Sequence, residues 1–267
     1  MTFWDKYYHS TTTNRSYVCV GLDSDFALIP EHLYQEANPL LEFNKQIIKA
    51  THELTAAYKL NYAFYIAQGR QGMEALKQSI SFMPESIPVI IDCKIGDIAN
   101  TMVQYGKAFF DDFKADAITV NPLMGEDVLT PLLSYQDKMF FLLAVTSNPS
   151  ATDFLKNNML YREIAKKINT WGASQIGAVV GATNSIELKE MRELMPQTIF
   201  LSPGIGAQGG NLAEVMNSAL SSPTDPKILI NSSRGIIFKD RTADFDRVAA
   251  EETEKLRNSI NEYLSLS

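Results

Sequence analysis

Only two cysteines and three histidines occur in the 267 residues. Cys19 and Cys93 each sit inside an apolar, strand-like run, so two buried reduced thiols are expected rather than a disulfide or a redox pair. His9, His32 and His52 are widely separated and share no metal-ligand spacing with one another or with the cysteines. No His/Cys metal site is therefore expected, although spacing alone leaves a site made of carboxylates open. Long hydrophobic runs are also lacking. The longest, around Met139 to Val145, is far too short to span a bilayer, and the first residues lack the basic-then-apolar layout of a signal peptide. The expectation is a cytoplasmic protein without membrane attachment. Basic excess is missing as well: 31 acidic against 24 basic residues give a formal charge of −7. That balance argues against nucleic acid or an anionic membrane as partner, and any anion site has to be built locally. Low-complexity tracts, long linkers and 20–50-residue repeats are absent.

Apolar content is ample. With 45% hydrophobic and 10% aromatic residues, the chain can bury a sizeable core, and at this length residues 1–267 are expected to form a single domain. Eight short β-branched or apolar runs read as strands: Tyr17–Leu22, Ala56–Tyr62, Pro88–Asp92, Ala117–Val120, Met139–Val145, Ile176–Val180, Thr198–Leu201 and Lys227–Ile230. Between them lie helical patterns such as Leu40–Ala57, Met102–Phe113, Tyr161–Trp171, Ser185–Leu194 and Leu212–Leu220. Arg241–Leu264 reads as a closing amphipathic helix. Strand then helix, eight times over, predicts an α/β fold of the (β/α)8 TIM-barrel type. An open doubly wound sheet alternates in the same way, but Asp23-Ser24-Asp25-Phe26 after the first strand offers no glycine-rich turn for a dinucleotide.

In such a barrel the site is built where strands end at their C-terminal side. Asp23 follows the first strand, Lys59 lies in or ends the second, Asp92 and Lys94 end the third, Ser147 follows the fifth, and Arg234 follows the eighth. Asp92 and Lys94, two apart, should face one side, with Asp97 in the loop beyond. At the end of the apolar Pro88–Ile91 run these charges should be partly buried, where they are costly unless paired. Two flanking acids favour the ammonium form of Lys94. Residues 204–210 hold four glycines in seven positions, Gly204, Gly206, Gly209 and Gly210, so backbone N–H groups can turn toward an anion. The segment Ser232-Ser233-Arg234-Gly235 adds a guanidinium suited to phosphate oxygens, and no Walker sequence is present, so a single phosphomonoester is the expected ligand.

The run Asp92-Cys93-Lys94-Ile95-Gly96-Asp97-Ile98-Ala99-Asn100-Thr101 resembles the D-x-K-x-x-D-[IV]-x-x-T signature of the orotidine 5′-monophosphate (OMP) decarboxylase family. Val20-Gly21-Leu22-Asp23, Tyr58-Lys59-Leu60-Asn61, Thr119-Val120-Asn121-Pro122, Thr146-Ser147-Asn148-Pro149, Pro203–Gly210 and Asn231-Ser232-Ser233-Arg234 resemble its other blocks in order, as in the longer bacterial group. The resemblance implies conversion of OMP to UMP and CO2 without metal or cofactor. It also implies that Lys59, Asp92, Lys94 and Asp97 form a charged array in which Lys94 protonates C6. A homodimer is implied, with Asp97 and Thr101 reaching the neighbouring subunit's site. By the same resemblance Ile98 faces the pyrimidine, Asp23 holds a ribose hydroxyl, Ser147 reads the pyrimidine edge, and Gln208 bridges that serine to the phosphate. Pro203, Gly209, Ser233 and Arg234 belong to the phosphate end. Ser150, Ser202 and Cys93 depart from the commonest form of the pattern without removing a charge or donor.

Three other readings compete. A Mg²⁺-dependent sugar-phosphate decarboxylase or aldolase of the same barrel superfamily resembles this chain in its D-x-K-x-x-D loop, but the Ser147-Asn148-Pro149 block and Gln208 suit a pyrimidine joined to a phosphate. A Schiff-base aldolase needs a lysine of depressed pKa, and the two acids near Lys94 work the other way. A non-catalytic nucleotide-binding protein has no use for Lys59, Asp92, Lys94 and Asp97 together.

Overall fold

The computed structural model describes residues 1–171, 174–181, 185–204 and 212–265. Eight strands, Val18–Gly21 (β1), Ala57–Asn61 (β2), Val89–Ile95 (β3), Ala117–Val120 (β4), Met139–Val145 (β5), Ile176–Val180 (β6), Phe200–Pro203 (β7) and Ile228–Ser232 (β8), pair in parallel in chain order. β8 closes onto β1, with Val18 opposite Ile230 and Cys19 opposite Asn231. The closed (β/α)8 barrel is the fold the strand–helix rhythm predicts.

The helices are Phe3–Thr13 (α1), Pro39–Thr51 (α2), Tyr62–Ile66 (α3), Gly69–Phe82 (α4), Ala99–Gly106 (α5), Leu160–Ile168 (α6), Ser185–Leu194 (α7), Leu212–Ala219 (α8), Arg234–Ile237 (α9) and Phe245–Ser265 (α10). Several differ at their ends from the sequence pattern: α6 stops at Ile168 rather than Trp171, and α10 starts at Phe245 rather than Arg241. The segment Leu40–Ala57 stops being helical at Thr51, where the Asn14 amide donates to the His52 and Thr55 carbonyls and turns the chain into β2. The segment Met102–Phe113 starts earlier, at Ala99, and widens into one π-helical turn over Lys107–Asp112. The closing helix α10 lies on α2, with Phe245 stacked on Phe43 at 5.0 Å.

Side chains alternate along each strand, and that alternation makes two cores. Val18, Val20, Tyr58, Leu60, Ile91, Ile118, Phe140 and Leu142 face the helices. Cys19, Ala57, Ile90, Ala117, Met139, Phe141, Leu201 and Leu229 face inward and fill the barrel. α1, which precedes the strand–helix alternation, closes the lower end of this inner core with Phe3 and Tyr7. Its local signal is a capping box: the Asp5 amide donates to the Thr2 hydroxyl at 3.1 Å, and the Thr2 amide donates to the Asp5 carboxylate at 2.9 Å.

Arg192 of α7 is buried, and among the described residues no carboxylate forms an ion pair with it. It donates instead to four carbonyls, Ala219 and Thr198 at 2.7 Å and Met195 and Lys227 at 3.1 Å, and lies 3.6 Å over the Phe200 ring. One guanidinium thereby ties α7, the end of α8 and the residues leading into β7 and β8. Removing its donors while keeping apolar bulk leaves buried carbonyls unsatisfied. Arg192→Met should lose about 3 kcal/mol or more in urea unfolding, and a loss below about 1 kcal/mol would contradict this account.

Candidate active site

The inward-facing positions that are apolar at the bottom of the barrel become polar at its top. On β2, Ala57 is followed two residues later by Lys59; on β3, Ile90 by Asp92; on β4, Ala117 by Thr119. Register then brings them together, because Lys59 lies opposite Ile90 and Asn61 opposite Asp92.

Lys59, with only 4% of its side chain exposed, places Nζ 3.0 Å from Asp23 Oδ1 and 3.3 Å from Asp92 Oδ2. The other oxygen of Asp92, Oδ1, accepts from Lys94 Nζ at 2.6 Å and from the Thr119 hydroxyl at 2.8 Å. Burial by itself would lower the pKa of Lys59, but the carboxylates of Asp23 and Asp92 outweigh it and hold it above the ordinary lysine value. Burial likewise pushes Asp92 up, yet Lys59, Lys94 and the hydrogen bonds from Lys94 and Thr119 prevail and hold it at about 2. Burial drives the thiols of Cys19 and Cys93 up to about 12. Both are free; Cys93 is half-buried rather than fully buried as its apolar run suggests.

Asp92 and Lys94 meet, but not through a regular pleat. The β3–β4 register shifts between Ile91 and Ile95, and Lys94 takes a left-handed φ of 48°. That conformation costs a non-glycine residue roughly 1–2 kcal/mol. It also lifts Lys94 to 49% exposure, against 11% for Asp92, so burial falls on the carboxylate more than on the ammonium. Gly96 permits the loop that follows, since a Cβ there would lie 2.7 Å from the Asn121 carbonyl oxygen.

Above this array opens a cavity of about 390 Å³. Asp23, Lys59, Asp92 and Lys94 line one part of it, and Ser147, Pro203, Ser233 and Arg234 another. Gly21 lets β1 and β8 close together here, because a Cβ on it would stand 2.8 Å from Ser233 Cβ. Three expected site residues do not line the cavity: Asp97, whose carboxylate accepts from the Ile98 amide at 2.8 Å, and the exposed Ile98 and Thr101. Gln208 and Gly209 lie outside the described residues. Polar lining residues without an individual role in the sequence reading include Asn61, Thr119, Thr146 and Asn231. Period-two alternation from Ala117 was the available signal for Thr119. Among the described residues, no three His, Cys, Asp or Glu side chains converge in a metal-ligating group, and no helix is long and apolar enough to cross a membrane.

Fold and cavity together define a (β/α)8 barrel enzyme-like scaffold with a lysine–aspartate array at its mouth. The chain belongs to the Orotidine 5'-phosphate decarboxylase / HUMPS family, whose model matches residues 16–244. It is similar to the orotidine 5'-phosphate decarboxylase of Flavobacterium johnsoniae, 41% identical over 258 residues and 94% of each chain. Among solved structures it resembles the OMP decarboxylase of Leishmania donovani, with a TM-score of 0.83, 36% identity and coverage of 98% of this chain and 99% of that one. It also resembles the UMP synthase of the same organism, with a TM-score of 0.86 and 36% identity; 99% of this chain is covered, but it spans 57% of that longer protein.

Because the folded pKa of Asp92 is depressed, its contribution to stability is complete above the unfolded value of about 3.9 and is lost as pH falls through about 2. The unfolding free-energy difference between wild type and Asp92→Asn should therefore be constant above about pH 5 and shrink by on the order of 2 kcal/mol between pH 4 and 2. A difference that stays flat across that range in urea titrations contradicts the pairing.

Proposed function

We propose that this protein is an orotidine 5′-monophosphate decarboxylase that converts OMP to UMP and CO2 in pyrimidine biosynthesis. The observation that carries the reading is the chain of alternating charge Asp23–Lys59–Asp92–Lys94 at the cavity floor, within 3.3 Å at every link. Loss of CO2 from C6 leaves an electron pair that the pyrimidine ring delocalises poorly, so catalysis has to supply roughly 20 kcal/mol of barrier reduction. A fixed ammonium beside C6 addresses that charge as it develops, and its orientation costs no reorganisation at the moment of reaction. In the step itself the C6–carboxylate bond breaks, CO2 leaves, and the pair on C6 takes a proton from Lys94 Nζ. The resulting amine regains its proton from water.

Asp92 holds that ammonium by its short contact to Nζ, and Lys59 holds Asp92 from the other side. Asp23 has one carboxylate oxygen on Lys59 and offers its remaining acceptor capacity to a ribose hydroxyl. Ser147 is assigned to the pyrimidine edge. Pro203, Gln208, Gly209, Ser233 and Arg234 are assigned to the phosphate, where binding remote from C6 positions the ring. The whole chain is read as one barrel domain acting in the cytoplasm.

The protein is further proposed to work as a homodimer in which Asp97 completes the array of the neighbouring subunit, Thr101 reaches its ribose and Ile98 its pyrimidine. Their position outside the protomer's own cavity supports this. So do the exposed apolar side chains on the adjacent β3 and β4 loops, where Ile98, Leu123 and Met124 are 48%, 64% and 58% exposed.

A magnesium-dependent sugar-phosphate enzyme of the same family predicts different behaviour. Followed by the ultraviolet absorbance of OMP after chelator treatment, the wild type should turn over and Lys94→Ala should lose at least about 10³-fold in kcat. No turnover by the chelated wild type, with activity restored by Mg²⁺ on a sugar phosphate, would reverse the assignment. Arg234→Ala should lower kcat/KM on OMP by about a hundredfold, the worth of charge-assisted phosphate contacts, and leave the reaction of unphosphorylated orotidine nearly unchanged. An equal loss on both substrates excludes a phosphate role for Arg234.

A further inference from the structure

β3 departs from regular pairing where its chemistry begins. Ile91 lies opposite Ile118, and the next pair is Ile95 opposite Val120, so Asp92, Cys93 and Lys94 share one residue of β4, Thr119. All three of those residues end on it. The Lys94 amide donates to Thr119 Oγ1 at 2.9 Å, Oγ1 donates to Asp92 Oδ1 at 2.8 Å, and the Cys93 thiol donates to the Thr119 carbonyl at 3.5 Å. An amide can only donate and an ionised carboxylate can only accept, so the single hydroxyl proton is committed to Asp92. Thr119 is almost completely buried, so these partners account for its hydroxyl.

We propose that Thr119 is the positioning residue of this site: its hydroxyl fixes the left-handed backbone of Lys94 and one oxygen of Asp92 together, and so sets where the Lys94 ammonium points. An ordinary parallel ladder would satisfy the Lys94 amide with a backbone carbonyl and leave the side chain on the pleat. Here the bulge frees that amide, and a β4 side chain captures it. The captured amide and the Asp92 oxygen that accepts Lys94 Nζ are joined through a single oxygen atom. Loss of that oxygen uncouples the backbone of Lys94 from its carboxylate partner without removing any charge. Threonine and valine have the same shape, so the hydroxyl can be tested apart from packing.

The kinetic arm of the test rests on the decarboxylase reading; the backbone arm does not. Thr119→Val should lower kcat for OMP by about tenfold or more with KM altered less than about threefold, while Thr119→Ser, which keeps the hydroxyl, stays within about threefold of wild type. Backbone amide exchange followed by NMR should show the Lys94 N–H protected in wild type and Thr119→Ser, and exchanging at least about tenfold faster in Thr119→Val. Should the valine variant fail to fold, Thr119→Ala is measured in its place. Wild-type kcat together with an undiminished Lys94 amide protection in the variant lacking the hydroxyl overturns the proposal. So does a serine variant as impaired as the valine one. A wild type that does not turn over OMP defeats the decarboxylase reading, and the amide exchange then decides Thr119 alone.

Discussion

A carboxylate buried in a barrel mouth is costly unless its neighbours compensate it, by several kcal/mol per uncompensated ion. Asp92 is in that position, and much of the upper barrel can be understood as its compensation. One oxygen receives Lys59; the other receives Lys94 and the Thr119 hydroxyl. Lys59 is itself buried and has to be balanced in turn, which Asp23 does from the end of β1. Contributions from four strands thus become mutually dependent. Replacing any one of these groups with an apolar residue takes a partner from a buried charge, and for that reason the array tolerates little drift in geometry.

The barrel below supplies the rigidity that such an array requires. Its inner core is apolar from Cys19 and Ala57 across to Phe141 and Leu229, and α1 seals the lower end with Phe3 and Tyr7. Inward positions are thereby divided along the strand axis: apolar where α1 covers them, charged where the mouth opens to the cavity. The same period-two alternation serves both halves, so no separate element is needed to carry the site. Rigidity below coexists with a local irregularity above. The bulge in β3 and the left-handed Lys94 trade two residues of regular pairing for an ammonium that stands at the cavity rather than inside the barrel wall. Strain of this kind persists only where surrounding contacts over-determine it.

Much of this was legible in the sequence. Strand positions and their order followed from short β-branched runs, and β4, β5 and β6 coincide with those runs, since both ends of a buried strand are marked by a change of composition. The placement of Asp23, Lys59, Asp92 and Lys94 at strand ends followed as well. Helix ends were less legible: α2 halts at Thr51 because Asn14, from a distant part of the chain, captures the carbonyls beyond it. Capture of that kind has no local signal. α1 carries a local signal in its capping box, but it precedes the first strand and so lies outside the strand–helix alternation. Arg192 and Thr119 carry no local signal of their partners for a related reason, because a lone arginine or threonine acquires its partners only when separate strands and loops converge on it.

The sequence by itself determined the barrel, its family and the set of charges at its mouth, since periodicity and residue type act along the chain. Tertiary structure alone decided how those charges are shared. That Lys59 lies between two carboxylates, that Lys94 leaves the pleat, that Thr119 joins its amide to Asp92, and that Asp97 lies away from the protomer's own cavity all depend on register and on contacts between strands. Such contacts are set by the packing of the closed barrel, where a side chain's neighbours are fixed in three dimensions and not by its distance along the chain.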